Sequence, residues 1–205
     1  MESSRPDFIV GIGGSAGALD GYKELLDGLP ADGGMAFVII SHMTPEASSK
    51  LAEILSRFTK MPVSVAASGM PIQRNRVYVI PPDADLLIED HAFKVVSPRT
   101  GRNIQADLFF NSLAEAMGPR AIGIIMSGYD GDGSKGCAQI KAKGGITFTQ
   151  DMSAEVDSMP LSAQASGHVD FVLPLDKIPA ELQKISNRFN KLGGGALIED
   201  SLVIA

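Results

Sequence analysis

Three short segments hold residues whose types could do chemistry together. Ser15 lies in Gly11-Ile12-Gly13-Gly14-Ser15-Ala16-Gly17. Small neighbours permit a sharp strand-to-helix turn that exposes a serine hydroxyl. The helix start would aim unpaired backbone N–H groups beside that hydroxyl, and such donors stabilise an oxyanion. His42 follows the apolar run Ala36–Ser41 and precedes a helix start, a place for a general base. Asp130 and Asp132 lie in Met126-Ser127-Gly128-Tyr129-Asp130-Gly131-Asp132-Gly133, and either carboxylate could fix a histidine's tautomer. A nucleophile, a base and an orienting acid describe ester hydrolysis through an acyl-serine, with no metal or organic cofactor.

Each segment also has a blander reading. Ser15 could simply cap the following helix. Gly11, Gly13 and Ala16 match the dinucleotide pattern G-x-G-x-x-A, but that pattern needs an acid at the end of the second strand. Here that strand ends Ile39-Ile40-Ser41-His42. Asp130-x-Asp132 followed by Ser134 opens like a calcium loop, yet Lys135 and Lys141 occupy the positions of its glycine and closing glutamate. Asp132 could cap the helix that follows it. His91 falls in a predicted hairpin, and His168 precedes its strand rather than ending it.

The elements that must position these residues alternate along the chain. Strands are expected at 8–13, 36–41, 62–66, 76–80, 120–127, 146–149 and 169–173. Helices are expected at 16–29, from Thr44 (N-cap) and Pro45 to about Phe58, at 107–117, 134–143 and 160–166, and from about Asp176 to Phe189. The apolar residues Leu19, Tyr22, Leu25, Leu26 and Leu29 share one side of the first helix at the i, i+3, i+4 spacing. The runs 86–89 and 92–96, joined by Asp90–His91, read as a β-hairpin excursion. Alternating strands and helices, with fully apolar strands, imply a doubly wound, mostly parallel α/β sheet in three layers. Ligands bind such sheets outside the carboxyl ends of the strands. Ser15, His42 and Asp132 all follow such ends.

The bulk composition excludes several classes. The 205 residues carry a formal charge of −6, which opposes nucleic-acid binding without a basic patch. Lys94, Arg99 and Arg102 are too few to make one. Cys137 is the only cysteine, so no internal disulfide is possible, which favours a reducing compartment. No apolar run is long enough to insert in a bilayer, and the polar start does not read as a secretory signal. A cytoplasmic location is expected. Gly193–Gly195 breaks the pattern, so 8–189 reads as one domain and 190–205 as a tether or the start of a following region.

The motifs Ile12-Gly13-Gly14-Ser15-Ala16-Gly17, Ser41-His42-Met43-Thr44-Pro45, Ser127 to Gly133, Thr149-Gln150-Asp151, Ser158-Met159-Pro160 and Val169 to Pro174 occur here in one order. Together they resemble the catalytic domain of the bacterial chemotaxis receptor methylesterases, the CheB family. The resemblance implies a Ser–His–Asp triad on Ser15, His42 and Asp132, and so chooses between the two aspartates. It implies hydrolysis of glutamate methyl esters on chemoreceptor signalling helices. Some members also deamidate glutamines. Oxyanion or substrate contacts are expected from Ala16, Gly128 and Tyr129. Ala16 stands where many members carry threonine, Tyr129 where many carry methionine, and Asp130 where glycine is common. Many members have an N-terminal receiver domain; Phe8 begins the catalytic strand here, so none is expected. In some relatives a methyltransferase domain follows. A different class, a non-catalytic module that docks on receptors or regulates a neighbour, would not need all three triad residues.

Overall fold

The computed structural model describes residues 5–42 and 45–193, without the side chains of 45–49. Thr44, the expected N-cap, and most of the expected tether lie outside the described residues. The elements run β1 (Ile9–Gly14), α1 (Ala18–Asp27), β2 (Ala36–Ser41), α2 (Pro45–Leu55), β3 (Val63–Val65), β4 (Arg76–Val79), β5 (Asp85–Glu89), β6 (Ala92–Val96) and α3 (Gln105–Met117). They continue with β7 (Ala121–Ile125), α4 (Ser134–Ala142), β8 (Ile146–Gln150), α5 (Ser158–Ala165), β9 (Phe171–Leu173) and α6 (Ile178–Lys191). Seven strands form one parallel sheet in the order β3-β4-β2-β1-β7-β8-β9. From β1 the chain passes to β2, then to the edge at β3 and back inward to β4, and later from β7 outward to β8 and β9 on the other side, so the switch point lies at β1 and β7, where such sheets open a crevice.

Side chains alternate across the strands and build two cores. Val10, Ile12, Phe37, Ile39 and Ile124 pack with residues of α1 and α6 on one face. Ile9, Val38, Ile40 and Ile125 pack with α3, α4, α5 and the hairpin on the other. Each fully buried Leu, Ile or Phe contributes about 1.5–3 kcal/mol. The three-layer doubly wound expectation is correct, with one refinement. The hairpin β5–β6 is a separate antiparallel sheet, joined to the rest by an isolated bridge between Pro71 and Ala92.

The glycines of β1 serve packing. A Cβ on Gly11 would sit 2.8 Å from Phe110, and one on Gly13 would sit 3.0 Å from Ala106. These positions let the first turns of α3 settle onto the sheet. The spacing that resembles a dinucleotide fingerprint is therefore accounted for by helix-to-sheet contact.

Several helix starts differ from expectation. Helix α1 begins at Ala18 rather than Ala16, because Gly17 adopts φ 74° and ends the turn. Helix α3 begins at Gln105, two residues earlier than the periodicity suggests. The cause is a buried polar clamp. Asp85 on β5 accepts hydrogen bonds from Gln105 Nε2 (2.9 Å), Thr100 N (2.8 Å) and Thr100 Oγ1 (2.7 Å). Gln105 Nε2 also donates to Gly101 O. The clamp fixes the loop before α3 and so the position of its N-terminus.

Lys94 pairs with Glu89, and Arg99 with Asp83, in keeping with a solvated loop. Among the described residues, no helix is long and apolar enough to cross a membrane.

Burial acts to raise the Asp85 carboxyl, but the bonds from Gln105 and Thr100 outweigh it and hold the group below the usual aspartate range. A lowered folded pKa contributes stability above the unfolded value of about 3.9, and that stability is lost as pH falls through the folded value. Asp85→Asn should therefore be less stable than the parent in urea at pH 7, and the gap should narrow at pH 3. An unchanged gap would show that the Asp85 charge contributes nothing.

Candidate active site

Strands β1 and β2 run parallel and in register, with Gly14 opposite Ser41. The next residues, Ser15 and His42, therefore leave the sheet side by side, at the spacing of neighbouring strands, about 4.8 Å. A bond from His42 N to Gly14 O, 3.4 Å, extends the ladder to this point.

The imidazole of His42 is buried, and its Nε2 lies 2.5 Å from Asp132 Oδ2. An ionised carboxylate only accepts hydrogen bonds, so Nε2 carries the proton. Nδ1 is then the basic nitrogen, and it has no partner among the described residues. This is the reverse of the chymotrypsin-type pairing, in which Nδ1–H faces the aspartate.

Asp132 is 3% exposed, and its carboxylate is fully engaged. Besides His42, it accepts the backbone N–H of Ala106 at Oδ2 and that of Asp107 at Oδ1, both at 2.9 Å. These are donors of the first turn of α3, whose own N-cap, Ile104, supplies no side-chain bond. Asp132 thus caps a helix, but not the one that follows it. Helix α4 is entered through Gly133 at φ 90°, with no side-chain cap. Asp130 is exposed and accepts a bond from Asn103. Of the two aspartates the sequence left open, the structure joins Asp132 to His42.

Ser15 caps nothing: Gly17 is the N-cap of α1, with no side-chain bond. The Ser15 backbone N–H donates to Ser127 O at 2.9 Å, and Ser15 O accepts from Ala18 N. The N–H groups of Ala16 and Gly17 have no acceptor among the described residues, so both are available at the helix end beside the serine. Gly128 does not add a third donor as expected, because its N–H already bonds to Val156 O at 2.9 Å. Its contribution is its small size: a Cβ there would lie 3.0 Å from Ser15 Cβ and collide with Met159. Tyr129 stands on the rim, 62% exposed.

Sequence reasoning missed Ser127. It is 1% exposed and holds the turn at Ser15–Gly17 from beneath. Its Oγ donates to Ala16 O (2.8 Å) and accepts from Val156 N (2.9 Å), while its N–H donates to Gln150 Oε1 (3.2 Å). Within one peptide unit C=O and N–H point in opposite directions. Gripping the Ala16 carbonyl therefore turns the Gly17 N–H the other way. The only sequence signal was a serine at a strand end inside a glycine-rich motif. Ser127→Ala should leave the Val156 N–H and the Ala16 carbonyl without their partner and cost about 1–3 kcal/mol in denaturant unfolding. A variant as stable as the parent would remove the clamp from this account.

The sequence profile described as CheB methylesterase matches residues 10–182. A Rhizobium johnstonii protein named protein-glutamate methylesterase/protein-glutamine glutaminase 2 is 34% identical over 89% of this chain and 52% of its own length. A Leptospira interrogans protein, named a putative enzyme of the same kind, is 34% identical over 83% of this chain and 90% of its own. The chain spans about half the length of the first of these relatives and most of the second. The catalytic domain of Thermotoga maritima CheB methylesterase superposes with a TM-score of 0.80 at 27% identity, covering 87% of this chain and 98% of that one. With a matching profile, relatives above 30% identity and a shared fold, the chain belongs to the CheB methylesterase family.

Proposed function

We propose that this chain is a serine hydrolase that removes methyl esters from glutamate side chains of bacterial chemoreceptors, with Ser15 as nucleophile, His42 as general base and Asp132 as its orienting acid. The buried contact between His42 Nε2 and Asp132 carries this reading. A surface or docking role gives no reason to bury an imidazole against a carboxylate beside a half-buried strand-end serine.

The proposed steps use these three residues in turn. Ser15 Oγ attacks the ester carbonyl, and its proton passes to His42 Nδ1. Asp132 stabilises the imidazolium without taking the proton. The Ala16 and Gly17 N–H groups, at the positive end of α1, hold the tetrahedral oxyanion. Collapse expels methoxide, which leaves as methanol with the proton from His42. Water, deprotonated by His42, then attacks the glutamyl–serine ester and releases the glutamate carboxylate, and Ser15 Oγ recovers the proton. The same path acting on a side-chain amide would release ammonia, which is glutamine deamidation.

The substrate is a methylated chemoreceptor signalling helix. Tyr129 contributes a broad, amphipathic contact for it on the rim. We take residues 8–189 as the catalytic domain and assign the reaction to the cytoplasm. A methyltransferase domain beyond the glycine-rich segment is a natural partner, since it would make the ester that this site removes.

Ser15→Ala should lower methanol release from methylated receptor by about 10⁴-fold or more while leaving the fold intact. Release at a near-native rate would rule out the serine. A fluorophosphonate adduct is expected on Ser15 and should be lost in His42→Ala. Tyr129→Ala should raise KM for receptor and leave kcat nearly unchanged; a fall in kcat at constant KM would instead place Tyr129 in the chemistry.

A further inference from the structure

Helix α3 has Ile104 at its N-cap and helix α4 has Gly133, and neither residue supplies a side-chain bond. The two helices repair this for each other. Asp132, just before the N-cap of α4, accepts the N–H groups of Ala106 and Asp107 in the first turn of α3. Asp107, in that first turn, accepts the N–H of Gly136 in the first turn of α4 at 2.8 Å, through Oδ1. Gly136 permits the approach, because a Cβ there would lie 2.5 Å from Phe110 Cβ. Two helix N-termini are thus locked together by an exchange of aspartates, and one of the two is the aspartate that holds His42.

We infer that Asp107 is a positioning residue of this active site: by anchoring α4 to α3 it holds Asp132, and through it His42, in place. This rests on the reading of Ser15, His42 and Asp132 as a triad. Loss of the Asp107 acceptor leaves the Gly136 N–H uncapped and the junction held from one side only. The Asp132 carboxylate can then drift from the α3 N–H groups and from Nε2. Displacements near 1 Å at a catalytic group cost about 100-fold in rate.

The charge of Asp107 is not what the junction requires. Burial pushes its carboxyl above the usual aspartate range, and the like charge of Asp132 adds to the rise; the Gly136 and Gly133 N–H groups and the Lys135 charge pull it back only in part. Asparagine keeps the accepting oxygen and removes the repulsion.

The test compares Asp107→Ala with Asp107→Asn. The alanine variant should lose about 10- to 100-fold in kcat for methanol release, with KM unchanged. The asparagine variant should retain most of kcat and be at least as stable as the parent at pH 7. A second readout needs no activity: the strongly deshielded His42 Nε2–H signal in the proton NMR spectrum should persist in the parent and in Asp107→Asn, and broaden or move in Asp107→Ala. An alanine variant with parental kcat and an unmoved signal overturns the inference. So does an asparagine variant as impaired as alanine, and if alanine does not fold, that arm decides alone. A parent that shows the signal but releases no methanol would fail the esterase reading and leave the positioning role standing.

Discussion

The site depends on how one carboxylate is held. Asp132 is almost completely buried, where an ionised group is costly unless its oxygens are paired. Two N–H groups of the α3 first turn and the His42 Nε2–H meet that requirement. The helix end supplies partial positive charge as well as hydrogen bonds. Because the carboxylate cannot turn without losing these partners, it fixes Nε2 of His42 as the protonated nitrogen and leaves Nδ1 as the one with a free lone pair.

Much of the rest of the fold serves to bring α3 to that position. Gly11 and Gly13 leave room for Phe110 and Ala106 against the sheet. The Asp85–Gln105–Thr100 clamp fixes the entry to α3. On the other side of Ser15, Ser127 ties the turn at Ser15–Gly17 to β8 through Gln150 and to the loop before α5 through Val156. The serine turn and the His–Asp pair are thus supported by separate networks that share only the strand ends between them. Such division suits a site whose groups must stay within a few tenths of an ångström of a productive arrangement.

The glycine-rich corners illustrate how one pattern admits several physical causes. Gly11 and Gly13 share a spacing with nucleotide-binding turns, but they face Phe109, Phe110 and Ala106 of a packed helix. Gly128 packs against Ser15, yet its N–H is bonded to Val156 and its role is to leave space. Gly17 and Gly133 do what a turn glycine is for, adopting positive φ at the entries to α1 and α4. Sequence spacing records that something small is needed and not which neighbour needs it.

The order of strands and helices, the apolar faces and the placement of Ser15, His42 and Asp132 at strand ends were all legible in the sequence, because periodicity and turn chemistry are local properties. The motifs shared with a known family then selected Asp132 over Asp130. Only the tertiary structure decided that β1 lies between β2 and β7, which puts Ser15 beside His42. Only it showed that Asp132 caps α3 rather than α4, that Nε2 rather than Nδ1 meets the acid, that Ser127 grips the turn at Ser15–Gly17, and that Asp107 accepts from the first turn of α4. Each of these is a contact between segments 23 to 112 residues apart in the chain. Such contacts are fixed by how whole elements pack, and no local pattern encodes them.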